Sequence, residues 1–197
     1  MKTKRIIYIF LLMICIVKGH RLFAQKKDTI HSFKTVGLSL QIYPAGLISC
    51  VTFENYVSQK GSLLFRLGIN YADRKDYSPY NDNEKGKGFG GSMGYRKHVP
   101  LKLGKIVFGL HCDIWNMWIN WKNDIGEPNY TKGQTYTLVL QPWIEGGYFI
   151  RLKSIPLQFG ITTGFGREIN VVTNGKDVGQ GWMNSLLLHF NYMLKRT

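Results

Sequence analysis

The chain has 197 residues, with 26 Lys and Arg against 12 Asp and Glu, a formal net charge of +14, and 44% hydrophobic residues. That length suits one domain. The basic residues are scattered, with no run of five and no basic helix, so the charge does not form the stripe that nucleic-acid binding needs.

The first 24 residues read as an export signal. Lys2, Lys4 and Arg5 form a positive start, and Ile6 to Val17 is an apolar run too short for the ~20 residues of a spanning helix. Cleavage is expected after Ala24, so the mature chain begins at Gln25. Removing Lys2, Lys4, Arg5, Lys18 and Arg21 takes the charge from +14 to +9. Cys15 is preceded by Ile14 rather than a small residue and sits inside the apolar run, which reads as an ordinary signal cysteine rather than a lipid-attachment site.

From residue 34 onward the pattern changes to a two-residue period, the mark of strands with one apolar face. Eight strands are predicted, over 34–43, 46–57, 61–72, 87–98, 104–121, 134–152, 155–167 and 182–195. The third is the plainest: Leu63, Phe65, Leu67, Ile69 and Tyr71 have Ser62, Arg66, Gly68 and Asn70 on the opposite face. In the fifth the apolar parity switches near Ile114, from Ile106, Phe108 and Leu110 to Trp115, Met117 and Ile119. Either a bulge or emergence of the strand above a membrane accounts for it. In the sixth, Pro142 cannot donate to the ladder, and a bulge is expected there. The connections alternate between short turns, such as Ser58-Gln59-Lys60, and long polar segments at 72–86, 122–133 and 168–181. Tyr43-Pro44-Ala45-Gly46 is the one tight turn out of sequence.

A soluble β-sandwich also alternates. Trp182 and Tyr192, however, share a face ten residues apart. At ~3.3 Å per residue and ~40° of tilt that interval spans ~25 Å, the height of a lipid-facing band. An all-β fold is therefore expected: a transmembrane antiparallel up-and-down barrel of eight strands, with residues 1–24 the signal peptide and 25–197 the barrel domain.

The export signal, eight strands and Gly-studded alternation resemble the small outer-membrane barrels of the OmpA and OmpX type and related porin-like families. The stretches Tyr43-Pro44-Ala45-Gly46-Leu47-Ile48-Ser49 and Gly146-Gly147-Tyr148-Phe149-Ile150-Arg151-Leu152 are similar to hairpin segments of that group. The resemblance implies the outer membrane of a Gram-negative bacterium, lipid and lipopolysaccharide as surroundings, no cofactor, and a monomer.

On the inward parity lie Glu54, Arg66, Arg96, His111, Asp113, Glu145, Arg151 and His189. An eight-stranded barrel is just wide enough inside for side chains to fill, and buried opposite charges are expected to pair. A lumenal network of Glu54, Arg66, Arg96, Asp113, Glu145 and Arg151 is the reading, with Glu54, Arg66 and Arg96 as one cluster. The same parity puts Cys50 inside and Cys112 outside, so no disulfide is expected, and a serine at the inward Gly68 is expected to be mild. Enzymatic alternatives are thin. Lipid A deacylases carry a His-x-Ser pair, whereas this chain has His189-Phe190-Asn191, and Asn191 is no nucleophile. His111 and Asp113 share a face but do not complete a metal's coordination sphere. The expectation is a non-enzymatic barrel acting through its external loops, where Tyr77, Pro79 and Tyr80 sit among polar residues. A narrow channel is the alternative, and a lipid A-modifying enzyme the third reading.

Overall fold

Alternation along the chain becomes a closed ring of strands in the computed structural model, which describes residues 34–75, 83–152 and 154–194. The signal segment with its cleavage site, and the loop residues Tyr77, Pro79 and Tyr80, lie outside the described residues. Among the described residues the strands are β1 (Lys34–Tyr43), β2 (Gly46–Ser58), β3 (Gly61–Lys75), β4 (Asn83–Leu101), β5 (Gly104–Asn123), β6 (Thr131–Arg151), β7 (Leu157–Arg167), β8 (Ile169–Asn174) and β9 (Trp182–Leu194). Each pairs antiparallel with its neighbours, and β1–β9 and β5–β6 pairings close the ring. β7 and β8 pair with successive parts of β6, so together they form one stave and the barrel has eight.

The register fixes the geometry. Followed across the ladder from Leu194, the partners run Lys34, Asn55, Leu63, Tyr95, Leu110, Ile144 and Phe165, and return to β9 at Asn184. The path comes back ten residues from its start, which is the shear of the barrel. With strands ~4.8 Å apart and ~3.3 Å per residue, eight staves of that shear tilt by ~40°. Trp182 and Tyr192 both point outward and are exposed, at the two ends of an apolar belt that includes Leu38, Val51, Leu67, Met93, Leu110 and Ile161. Such a surface is stable only against an apolar medium: the fold is a transmembrane β-barrel.

The strands are longer than their sequence signal at one end. β3 continues to Lys75, β4 starts at Asn83 and β6 at Thr131, so the wall stands tall over β3–β6 and is low at the Pro44-Ala45 turn. Segments expected as loops are strand there because their outer face meets water, which removes the apolar alternation but not the ladder. The parity switch in β5 has the same cause. Burial alternates without interruption from Val107 to Ile119, so there is no bulge; above the belt the apolar residues Trp115, Met117 and Ile119 face inward, with Asn116 and Asn120 outside.

Pro142 corrects a second expectation. It stays in register opposite Cys112, and the missing N–H shows instead on the other side, where the partner stave breaks between Arg167 of β7 and Ile169 of β8. The register shift lies farther along, between Leu138 and Val139. The segment 168–181, expected as one loop, contains β8.

Candidate functional site

The ladder delivers one inward side chain from every second residue of each stave, and the lumen is filled by what arrives. Toward the short-turn end the filling is charged. Arg96 of β4 makes a forked pair with Glu145 of β6, Nε and Nη2 each 2.7 Å from a carboxylate oxygen. Glu145 also accepts the Thr162 hydroxyl at 2.8 Å, and the Nε2 atoms of His111 and His189 lie 2.9 and 3.3 Å from it. Glu54 lies 3.6 Å from Arg96, accepts the Ser62 hydroxyl and faces His98 at 3.5 Å. Below it, the Lys105 ammonium donates to the Tyr56 hydroxyl.

Arg66 does not join that cluster. Its register partner on β2 is Thr52, one step above Glu54, and its guanidinium reaches past Ser92 of β4 to Asp113 of β5 at 2.7 Å, and to Gln41 of β1 at 3.0 Å. Asp113 accepts a second bond from the Trp143 indole at 2.7 Å. The expected triad of Glu54, Arg66 and Arg96 is therefore two separate groups, Glu54–Arg96–Glu145 and Arg66–Asp113. Arg151 belongs to neither. It is the last residue of β6, exposed at the rim, although its parity is inward. Parity gives the side of a wall, and only a position away from the strand end makes that side an interior.

Toward the long-loop end the filling turns apolar: Ile48, Trp115, Met117, Ile119, Trp143 and Leu187 pack into one cluster. Over it lies the segment between β8 and β9, whose Val178 is buried in the same cluster. Arg74 ties this lid down, pairing with Glu84 at 3.3 Å, with Glu168, and with the Gly179 carbonyl. The Gly179 amide donates back to Glu84 at 3.0 Å, and Asn170 Nδ2 donates to the Val178 carbonyl at 2.9 Å. Sequence alone did not point to Arg74, Glu84, Glu168 or Val178, because nothing marks a loop as folded back over its own barrel.

Polar groups of this interior are engaged with one another. The His189, Thr162 and Glu145 side chains touch, but all three are buried and each imidazole Nε2 is already turned to Glu145. Asn191 is likewise buried, within 3.4 Å of the Thr52 hydroxyl. Cys50 is buried, Cys112 half-buried on the outward parity, and both are free thiols.

The outer face above the belt is different. Lys75, Lys85, Lys87, Lys122 and Lys132 arrive on it from β3, β4, β5 and β6. Of these, Lys85 is paired, with Asp73 at 3.1 Å. A hollow of about 580 Å³ at the tip is lined by Lys85, Asn120, Lys122, Lys132 and Gln134. Just below runs an aromatic ladder of Phe89, Trp118 and Tyr136, with ring centroids 5.7 and 5.4 Å apart.

No family model and no curated protein matches the sequence. Among solved structures, the chain is similar to Neisserial surface protein A, at 8% identity and a TM-score of 0.45, over 84% of this chain and 97% of that one. It is also similar to the N-terminal β-barrel domain of Pseudomonas aeruginosa OprF, at 12% identity and 0.40, over 83% and 98%. A third is Ail, the attachment invasion locus protein of Yersinia pestis, solved in complex with the heparin analogue sucrose octasulfate, at 7% identity and 0.42, over 83% and 97%.

Proposed function

We propose that this chain is a non-conducting outer-membrane protein that acts at the cell surface, through the tall cationic wall and lid at its long-loop end, and that it is not an enzyme. The observation that carries the reading is the filled lumen. A charged layer and an apolar layer lie in series below a lid anchored by Arg74, which leaves the outer face and the rim as the surfaces a partner can reach. Five lysines against one paired aspartate on that face favour an anionic ligand, lipopolysaccharide or an acidic surface on another cell.

Reconstitution into planar lipid bilayers tests the first half. The wild-type barrel is expected to insert without conductance steps, and a stable ohmic step per inserted copy would replace this reading with the channel. Fractionation tests location: the mature protein is expected in the outer membrane with a heat-dependent gel mobility, and recovery as a soluble periplasmic protein would end it.

A further inference from the structure

The outer wall is not uniformly apolar within the belt. A groove of about 770 Å³ runs over β6, β7 and β9 and reaches the β1–β2 turn, with Phe108, Ile144, Phe165 and Leu186 along its sides. Its floor is Gly146, where an added Cβ would meet no heavy atom nearer than the Phe108 ring at 4.0 Å. Two polar side chains face into it. The Thr163 hydroxyl donates to the Gly146 carbonyl at 3.4 Å. Asn184 is exposed, and among the described residues its amide has no side-chain hydrogen-bond partner.

Height orders these groups. Asn184 is two residues below Trp182 on β9, which at ~40° of tilt is ~5 Å down from the belt's edge. Phe165 is its ladder partner, and Arg167, two residues above Phe165, pairs with Trp182. The Arg167 guanidinium lies over the Trp182 ring, 5.6 Å from its centroid, and Phe165 stacks on the same tryptophan at 5.1 Å. From the rim inward the surface thus presents a cation, an amide with both a donor and an acceptor, and an apolar trench. An amide turned toward hydrocarbon without a partner is unfavourable, so a ligand that hydrogen-bonds at that depth is stabilised there over plain lipid.

We propose that this groove binds one molecule of the outer leaflet's acylated phosphosugar lipid. Arg167 takes a phosphate, Asn184 the amide or ester joining an acyl chain to the sugar, and the chain lies over Thr163 and Gly146. The order of charge, polar linkage and hydrocarbon in such a lipid matches the order of groups on the wall, and its phosphate is the anion that Arg167 complements. The proposal rests on the outer-membrane reading above.

The test is native mass spectrometry of the mature barrel, folded in dodecyl maltoside and mixed with bis-phosphorylated lipid A. One retained copy is expected, with dioleoylglycerol, which has ester linkages and acyl chains but no phosphate, held more weakly by about tenfold, the loss of one charge-assisted contact. Arg167→Gln is expected to weaken lipid A by a similar factor, and dephosphorylated lipid A to bind wild type and Arg167→Gln alike. Gly146→Leu fills the trench from outside without displacing protein, and is expected to lower retention while leaving the heat-dependent gel shift intact. Equal retention of dioleoylglycerol, wild-type retention by Gly146→Leu, or a lipid-free dimer seated on this face would each overturn the site. A chain that never shows the gel shift would instead overturn the outer-membrane reading, so the two failures are distinguishable.

Discussion

Asp113 shows what a lumenal charge contributes. It is buried, takes Arg66 on one oxygen and the Trp143 indole on the other, and the Arg66 guanidinium lies 4.9 Å from the Trp143 ring centroid. Asp113→Ala would leave a buried guanidinium with Gln41 as its remaining polar partner, and is expected to cost ~3–5 kcal/mol in urea unfolding followed by gel mobility. The cost belongs to the orphaned charge more than to the bond. Arg66→Met combined with Asp113→Leu is therefore expected to recover most of it, and a double-mutant cycle reads the coupling. Additive losses would show that the two residues do not act as a pair. Inward parity made Arg66 and Asp113 legible as lumenal residues, but not their pairing. Glu54 is nearer to Arg66 along the hairpin, while Asp113 sits on the same rung two staves over, on a strand that sequence distance hides.

At the scale of one strand, β3 separates two environments within a residue. Leu67 is 72% exposed on the belt, and Arg66 beside it is 1% exposed. Leu67→Arg places a cation at mid-belt and is expected to cost ~2–4 kcal/mol, seen as a reduced fraction of heat-shifted protein after folding into vesicles. Ser92→Ala is the inward control. Its hydroxyl is buried without a hydrogen-bond partner, so little is lost; equal defects in both variants would invert the assignment of faces. Gly68→Ser, which parity alone marks as mild, is not a usable control. A Cβ at Gly68 would run into the Ser49 carbonyl and the Cys50 side chain on β2, so the strands must separate to admit it. The period of two told which wall a residue faces, and it placed eight staves correctly. It was silent on how closely neighbouring strands pack at a glycine. It also faded above the belt, where water on the outside removes the contrast that makes a strand visible.

In the proposed reading the whole molecule is closed by barriers in series, and that arrangement makes a specific prediction. The lid over the long-loop end depends on Arg74, which joins Glu84, Glu168 and the Gly179 carbonyl. Arg74→Gln keeps a donor but removes the charge, so the carboxylates of Glu84 and Glu168 lose their shared cation. The segment around Val178 and Gly179 is then expected to open more often. Backbone hydrogen exchange reads this directly at Gly179, whose amide donates to Glu84, and at Glu168, whose amide donates to the Gly181 carbonyl. Exchange at these amides is expected to rise by roughly tenfold if one charge-assisted contact is lost, while exchange in β2 and β3 stays at its wild-type rate. Conductance in planar bilayers is expected to remain at background, because Trp115, Met117 and Leu187 fill the lumen beneath the lid and the Arg96–Glu145 pair closes it below them. Barriers in series pass ions only when every one of them is open. Faster exchange with no current is the signature of this order, and conductance steps from Arg74→Gln alone would mean that the lid, not the packed lumen, is what holds the barrel shut.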